Sequence, residues 1–265
     1  MINVSKEIGS LSERLKDVLW PRTCAVRDCG SPVDRPSGYL CSRCYATLPW
    51  YDEFAQSAFA YLSPIVELVN RYKFNGATYL TDDFADALER SFRRKHTTAA
   101  VDVVVPVPLH PNRLRTRGYN QSGLLAAAFA TRLGRRCDET SFARIRDTEH
   151  QSRSTGEERR ENLKGAFRVV EPAQIRGRTV VLVDDVMTTG ATIEECTEAL
   201  LAGGAYRVIP FTLAKALMDE DLGESYINPC YNTQEKNDTT VAFHTNLTQS
   251  RRERGGKRRK IESHI

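Results

Sequence analysis

The sequence predicts a parallel α/β sheet flanked by helices, with a small cysteine-bearing segment before it and a polar tail after it. Three observations carry this. Short apolar runs, VDVVVPV at 101–107, VVLV at 180–183 and YRVIPFTL at 206–213, alternate with segments of helical spacing, and that alternation builds parallel βαβ units. VVLV is apolar at every position, as a strand buried on both faces must be. Four cysteines crowd into residues 24–44, a pattern that suits a metal staple.

In chain order, Ile8, Leu11, Leu15, Val18 and Leu19 recur at helical spacing and predict a short amphipathic helix stopped near Pro21. The cysteine zone follows and ends in Leu48-Pro49-Trp50. Leu80, Phe84, Leu88 and Phe92 repeat every four residues and predict one helix face. VDVVVPV is β-branched and short, a strand. Tyr119 to Leu133 is Ala/Leu-rich and closes at Gly134, a helix with a glycine cap. Ile193, Cys196 and Leu200 share a helix face, which Gly203-Gly204 ends. The zones are therefore 1–50, 51–217 and 218–265, and no internal repeat is visible.

The 265 residues suffice for one sizeable domain with small additions, and 40% hydrophobic with 27% charged residues is ordinary globular composition. A net charge of +4 permits phosphate or nucleic-acid ligands without requiring them. No run approaches the roughly 20 apolar residues of a membrane span, and MINVSKEIGSLSERLKDVLW lacks a signal-peptide core. The expected location is the cytoplasm, where seven cysteines argue for metal or free thiols over disulfides.

The stretch VVLVDDVMTTGAT at 180–192 carries the chemistry. Ligands of an open parallel sheet bind beyond the carboxyl ends of its strands, where VVLV delivers Asp184 and Asp185. Two buried carboxylates without partners are costly, so they should meet donors or a metal. Thr188, Thr189, Gly190, Ala191 and Thr192 then run into a helix start, whose free N–H groups and dipole favour an anion. Carboxylates beside a phosphate cradle suit a sugar phosphate with free hydroxyls. Thr192 with Glu195 also fits a capping box, so part of the pattern has a reading in helix-start chemistry alone. A Walker B strand is excluded for want of a G-x-x-x-x-G-K-[ST] loop.

All thirteen positions resemble the phosphoribosyl pyrophosphate (PRPP) motif of type I phosphoribosyltransferases. The resemblance implies that Asp184 and Asp185 are the catalytic pair, contacting ribose hydroxyls directly or through Mg²⁺, and that 188–192 hold the 5′-phosphate. PVPLHPNRLRTRGYNQS at 106–122 carries Arg113, Arg115 and Arg117 after a proline-broken strand end. On charge alone these are either pyrophosphate ligands in forked geometry or a solvated basic loop. The wording resembles the ComF/GntX family, which implies a pyrophosphate loop with Arg113 and Arg117 as ligands. His110 in it reads as a solvated loop histidine or a pyrophosphate contact.

ARIRDTEHQSRSTGEERRENLKGAF at 143–167 resembles the same family and is long and polar. The resemblance implies a mobile hood over the reaction centre with Arg144, Arg146, Gln151, Arg159, Arg160 and Asn162 as candidate ligands; a solvated loop leading into a charged helix is the plainer alternative. Cys24-x4-Cys29-x11-Cys41-x2-Cys44 suits a closed four-thiolate Zn²⁺ site, structural and not catalytic, though its first spacing is wider than the usual pair. The family likewise carries an N-terminal zinc segment. Many members add a second cysteine cluster, which this chain lacks. Cys137 and Cys196 read as core or surface thiols.

The resemblance covers about residues 20–217. Residues 218–265 read as a disordered, appended tail whose RRERGGKRRK patch is a solvated run or a grip on nucleic-acid phosphates. Two functions follow. One is phosphoribosyl transfer from PRPP to an acceptor that the sequence does not name. The other is implied by the family resemblance alone: a non-catalytic factor of DNA uptake whose partner is single-stranded DNA or a helicase; homo-oligomerisation is left open.

Overall fold

Strand β6, Thr179–Met187, is the spine of the molecule. The computed structural model describes residues 21–51, 56–96, 100–147 and 156–217, with the backbone alone at 156–159. All belong to one unit, Met1–Gly223; a second spans Glu224–Ile265. The predicted N-terminal helix, His150, Gln151 and the tail lie outside the described residues.

Beside β6 lie β2 (Val103–Pro106) on one side and β7 (Arg207–Lys215) on the other, with β1 (Ser57–Ala60) and β3 (Arg136–Cys137) at the edges. The order β1-β7-β6-β2-β3 is parallel throughout. From β2 the chain steps outward to β3, then returns to β6 and proceeds the other way to β7. The β2/β6 boundary is therefore the switch point, and the crevice beyond its carboxyl ends is where such sheets receive ligands. Register aligns Val103 with Val180 and Pro106 with Val183, so both strands deliver their following loops at the same height.

Side chains alternate along β6. Val181 and Val183 enter one core, Val180 and Leu182 the other. The first core holds Leu80, Phe84, Leu88 and Phe92 from α3 (Thr81–Lys95) and its lead-in turn, Leu125 and Phe129 from α5 (Gln121–Leu133), and Leu68 and Tyr72 from α2 (Ile65–Phe74). The second holds Ile193, Cys196 and Leu200 from α7 (Ala191–Ala202), with Phe142 and Phe167. The last two come from a separate antiparallel pair, β4 (Phe142–Arg144) and β5 (Phe167–Val169), joined through α6 (Gly156–Leu163). Each buried Val, Leu or Phe contributes about 1.5–3 kcal/mol, so a sheet covered on both faces has ample driving force.

Helix ends follow local chemistry. Asp82 and Asp83 open α3 and Arg93, Arg94 and Lys95 close it, complementing the helix dipole. The predicted helix from Tyr119 begins instead at Gln121, because the Asn120 side chain accepts from Ser122 N–H and caps it. The segment after Val107 was expected as a turn and basic loop. It forms α4 (Pro111–Arg117), with His110 capping its start, Pro111 in the first turn and Gly118 at φ 83° closing it. Proline inside the start and glycine past the end are helix boundaries, not loop signals.

The cysteine segment carries α1 (Ser42–Ala46) and packs into the first core through Cys24, Leu40, Cys41, Tyr45 and Leu48. Leu48-Pro49-Trp50 stitches it to β1: Trp50 pairs with Phe59, and Ala60 N–H donates to the Pro49 carbonyl at 2.8 Å. No helix among the described residues is long and apolar enough to cross a membrane.

Candidate functional site at the sheet's switch point

The acid pair does not terminate β6; the strand runs on to Met187. Adjacent on the strand, the two carboxylates each find their own partner. Asp184 Oδ1 accepts from Ser122 Oγ at 2.7 Å and from Asp185 N–H at 2.9 Å. Asp185 Oδ1 meets Lys73 Nζ of α2 at 2.8 Å and accepts from Val186 N–H at 2.6 Å. Asp185 Oδ2 is buried with no hydrogen-bond partner among the described residues. Burial first, then the neighbouring Asp185 charge, push the Asp184 carboxyl up to about 7, against the Ser122 hydrogen bond and the Lys73 charge.

The turn at 188–192 connects the pair to α7. Gly190, at φ 83°, is the helix cap, and no side chain caps this end. The alternative capping box of Thr192 and Glu195 is not formed: Thr192 already lies inside the helix, and Glu195 Oε1 accepts instead from Gly165 N–H at 2.6 Å. The helix-start N–H groups thus remain available to a ligand, apart from Ala191 N–H, which contacts Thr189 Oγ1 at 3.5 Å. Thr188 is exposed and Thr192 half-buried.

Across the switch point α4 presents half-buried Arg113 and Arg117. They line a cavity of about 520 Å³ together with Lys73, Phe74 and Tyr119. Arg117 lies over the exposed Phe74 ring at 5.1 Å. Arg115 turns to Asn112, and His110 spends Nδ1 on Asn112 N–H at 3.3 Å as the helix cap, with Asp147 beside it.

Of the expected hood residues, Arg144 converges on the site. It packs over Phe167 at 5.4 Å, and burial, then the like charge of Arg113, lower its pKa while the Asp184 charge opposes them. Arg146 donates to the Lys164 carbonyl, Arg160 pairs with Glu194 at 3.0 Å, and Asn162 is exposed. Arg159 lies on α6, its side chain outside what is described, as is Gln151 entirely. Sequence reasoning missed Lys73 and Ser122. Ser122 stood inside the quoted arginine segment; Lys73 carried no local signal.

The four cysteines form a separate centre. Their sulfurs all lie within 4.8 Å of one another, with Cys29–Cys44 at 3.4 Å and Cys29–Cys41 at 3.8 Å. Tetrahedral Zn–S bonds of about 2.3 Å set sulfur–sulfur edges near 3.8 Å. Backbone N–H groups of Cys41 and Cys44 point at Cys24 Sγ and Cys41 Sγ, at 3.4 and 3.5 Å, as they do around thiolates. The cluster fits a zinc ribbon.

Residues 120–247 match the phosphoribosyl transferase domain family. The DNA utilization protein YhgH of Salmonella typhi is 35% identical over 199 residues, 74% of this chain and 86% of that protein. Competence protein F of Haemophilus influenzae is 31% identical over 192 residues, 71% and 83% of the two chains. Competence protein ComFC of Bacillus subtilis is 27% identical over 166 residues, 61% and 64%. With the parallel sheet and its acid-bearing central strand, these matches define a type I phosphoribosyltransferase-fold protein. Within that class, the chain belongs to the ComF family of phosphoribosyltransferase-like proteins.

Proposed function

We propose that the chain binds PRPP at the β2/β6 switch point and transfers its phosphoribosyl group to a nucleophilic acceptor. The observation that supports this most is that the acid pair runs directly into the uncapped start of α7, while Lys73, paired with Asp185, lines one cavity with the α4 cations Arg113 and Arg117. In this reading the N–H groups and hydroxyls of 188–192 hold the 5′-phosphate, and Asp184 and Asp185 orient the ribose hydroxyls. Arg113 and Arg117 hold the pyrophosphate. Arg144 closes the site from β4, with Arg146, Gln151, Arg159, Arg160 and Asn162 on the connection that follows. The bond from the anomeric carbon to pyrophosphate breaks with its electron pair leaving on oxygen, and the acceptor's lone pair forms the new bond. Positioning and fixed charge supply most of the rate, while the hood excludes water.

Mg²⁺ suits the unpartnered Asp185 Oδ2 and the Asp184 carboxylate, since it binds through one or two carboxylates plus substrate oxygens; it would neutralise charge on the departing pyrophosphate. Zn²⁺ suits the four thiolates and would fix the cysteine segment.

Calorimetry of PRPP binding with and without Mg²⁺, and pyrophosphate release in the presence of candidate acceptors, tests the reading. Absence of PRPP binding, or binding unchanged by Asp184→Asn with Asp185→Asn, rejects it. The names of the relatives, which speak of DNA utilization and competence, favour a second reading. In it the pocket only senses PRPP, and single-stranded DNA or a helicase is the working partner. Salt-dependent DNA binding without any pyrophosphate release would select it.

A further inference from the structure

Lys73 brings to the switch point a cation from outside the motif segments at 106–122, 143–167 and 180–192. It stands at the end of α2, ahead of the sheet's β2 in sequence. Its Nζ lies 2.8 Å from Asp185 Oδ1, with the lysine side chain 19% exposed and the carboxylate 5%. Lys73 also lines the 520 Å³ cavity beside Arg113 and Arg117, a lining that includes no carboxylate. Lys73, though paired with Asp185, thus shares with Arg113 and Arg117 a space whose size suits a compact polyanion.

The end of α2 is held firmly enough to aim a side chain. Tyr119 O–H donates to the Tyr72 carbonyl one residue before Lys73. Farther back, Arg71 donates to the Ala25 carbonyl at 2.6 Å and to Tyr79 Oη at 2.5 Å, and Arg27 pairs with Glu67 at 3.1 Å. The cysteine segment thus braces the helix that carries Lys73, and supported rotamers are what a binding site requires.

We propose that Lys73 is a third pyrophosphate-binding residue of the site, supplied by α2, and that Asp185 positions it. This rests on the PRPP reading above. A plainer role exists for the same contact: Lys73 neutralises a buried carboxylate and touches no ligand. The two roles differ in which ligand notices the change. A pyrophosphate contact matters to PRPP and not to ribose 5-phosphate, which lacks that group. A structural counter-ion affects both alike, through the acid pair.

The test is calorimetry on the full, zinc-loaded chain with PRPP plus Mg²⁺ and, separately, ribose 5-phosphate. Lys73→Met is expected to weaken PRPP about 10- to 100-fold, the loss of one charge-assisted contact, and to leave ribose 5-phosphate within about twofold. Lys73→Arg keeps the charge and is expected to recover most of the PRPP affinity, which also guards against a Met variant that folds poorly. Equal losses for both ligands, or no loss for PRPP, overturn the assignment while leaving the PRPP reading intact. A wild-type chain that binds no PRPP removes both.

Discussion

Ser122 Oγ donates a hydrogen bond to Asp184 Oδ1 at 2.7 Å, tying the start of α5 to the acid pair on the central strand. The serine is 1% exposed, so water cannot take its place. Ser122→Ala removes the donor and leaves a half-buried acceptor with one bond fewer. The expected cost is about 1–3 kcal/mol in urea unfolding. PRPP affinity should fall as well, because the carboxylate loses the group that fixes its orientation. A variant as stable as wild type with unaltered affinity would show that the bond fixes nothing.

The raised Asp184 carboxyl makes the protein less stable as pH increases. Burial and the Asp185 charge favour its neutral form in the fold, lifting it from 3.8 to about 7. Below pH 3.8 both folded and unfolded chains hold the proton, and the contribution is fully present. Between the two values the fold keeps a proton that the unfolded chain releases, and the contribution is lost as pH rises through 7. Asp184→Asn cannot ionise. Without divalent cations, its Tm at pH 8 should exceed wild type by roughly 5 °C or more, the gap narrowing towards pH 5. Parallel Tm profiles for the two proteins would remove Asp184 as the source.

Much of the fold was legible because its signals are local. VVLV reads as a doubly buried strand from four residues, and Leu80, Phe84, Leu88 and Phe92 announce their helix face by spacing alone. The cysteine cluster was likewise readable from its pattern. What escaped depends on long-range pairing. Nothing near Lys73 in sequence signals Asp185, since the contact exists only after α2 folds across the sheet's carboxyl edge. The capping-box reading of Thr192 failed for a different reason: Gly190 adopts a left-handed conformation and starts the helix earlier. α4 was misjudged because charge was weighed above the proline and glycine that bound it.

Arg160 separates a functional from a structural role cleanly. Its pair with Glu194 spans 3.0 Å with both side chains more than half exposed, at 56% and 54%. Such surface pairs contribute about 0–1 kcal/mol. Arg160→Ala should therefore change unfolding free energy by no more than about 0.5 kcal/mol. If the guanidinium belongs to the hood, pyrophosphate release should drop about tenfold in the same variant, roughly one charge-assisted contact in the transition state. A stability loss with unchanged release would confine Arg160 to holding α6 on α7.

The cysteine segment is locked to the core by a buried charge, and that contact should dominate its stability. Asp83 in the first turn of α3 is 0% exposed. Its carboxylate pairs with Arg35 and accepts from Tyr39 N–H at 2.5 Å, while Arg35 reaches on to Asp86 at 2.9 Å. Burial raises the Asp83 pKa, and the Tyr39 amide and the Arg35 charge offset it. Gly38, at φ 86°, leaves room for this carboxylate; any Cβ there would overlap it. Arg35→Met strands a charge in the interior, at an expected cost of about 3–5 kcal/mol. Adding Asp83→Asn removes that charge and should recover part of the loss, as a coupled pair requires. Arg35→Met should also speed the release of zinc to a chelator, because the thiolate cluster then sits on a segment freed from α3. Thermal melts of the single and double variants, with a chelator time course on each, decide the matter. An Arg35→Met protein within about 1 kcal/mol of wild type would mean that the apolar contacts of Leu40, Tyr45 and Leu48 hold the segment on their own.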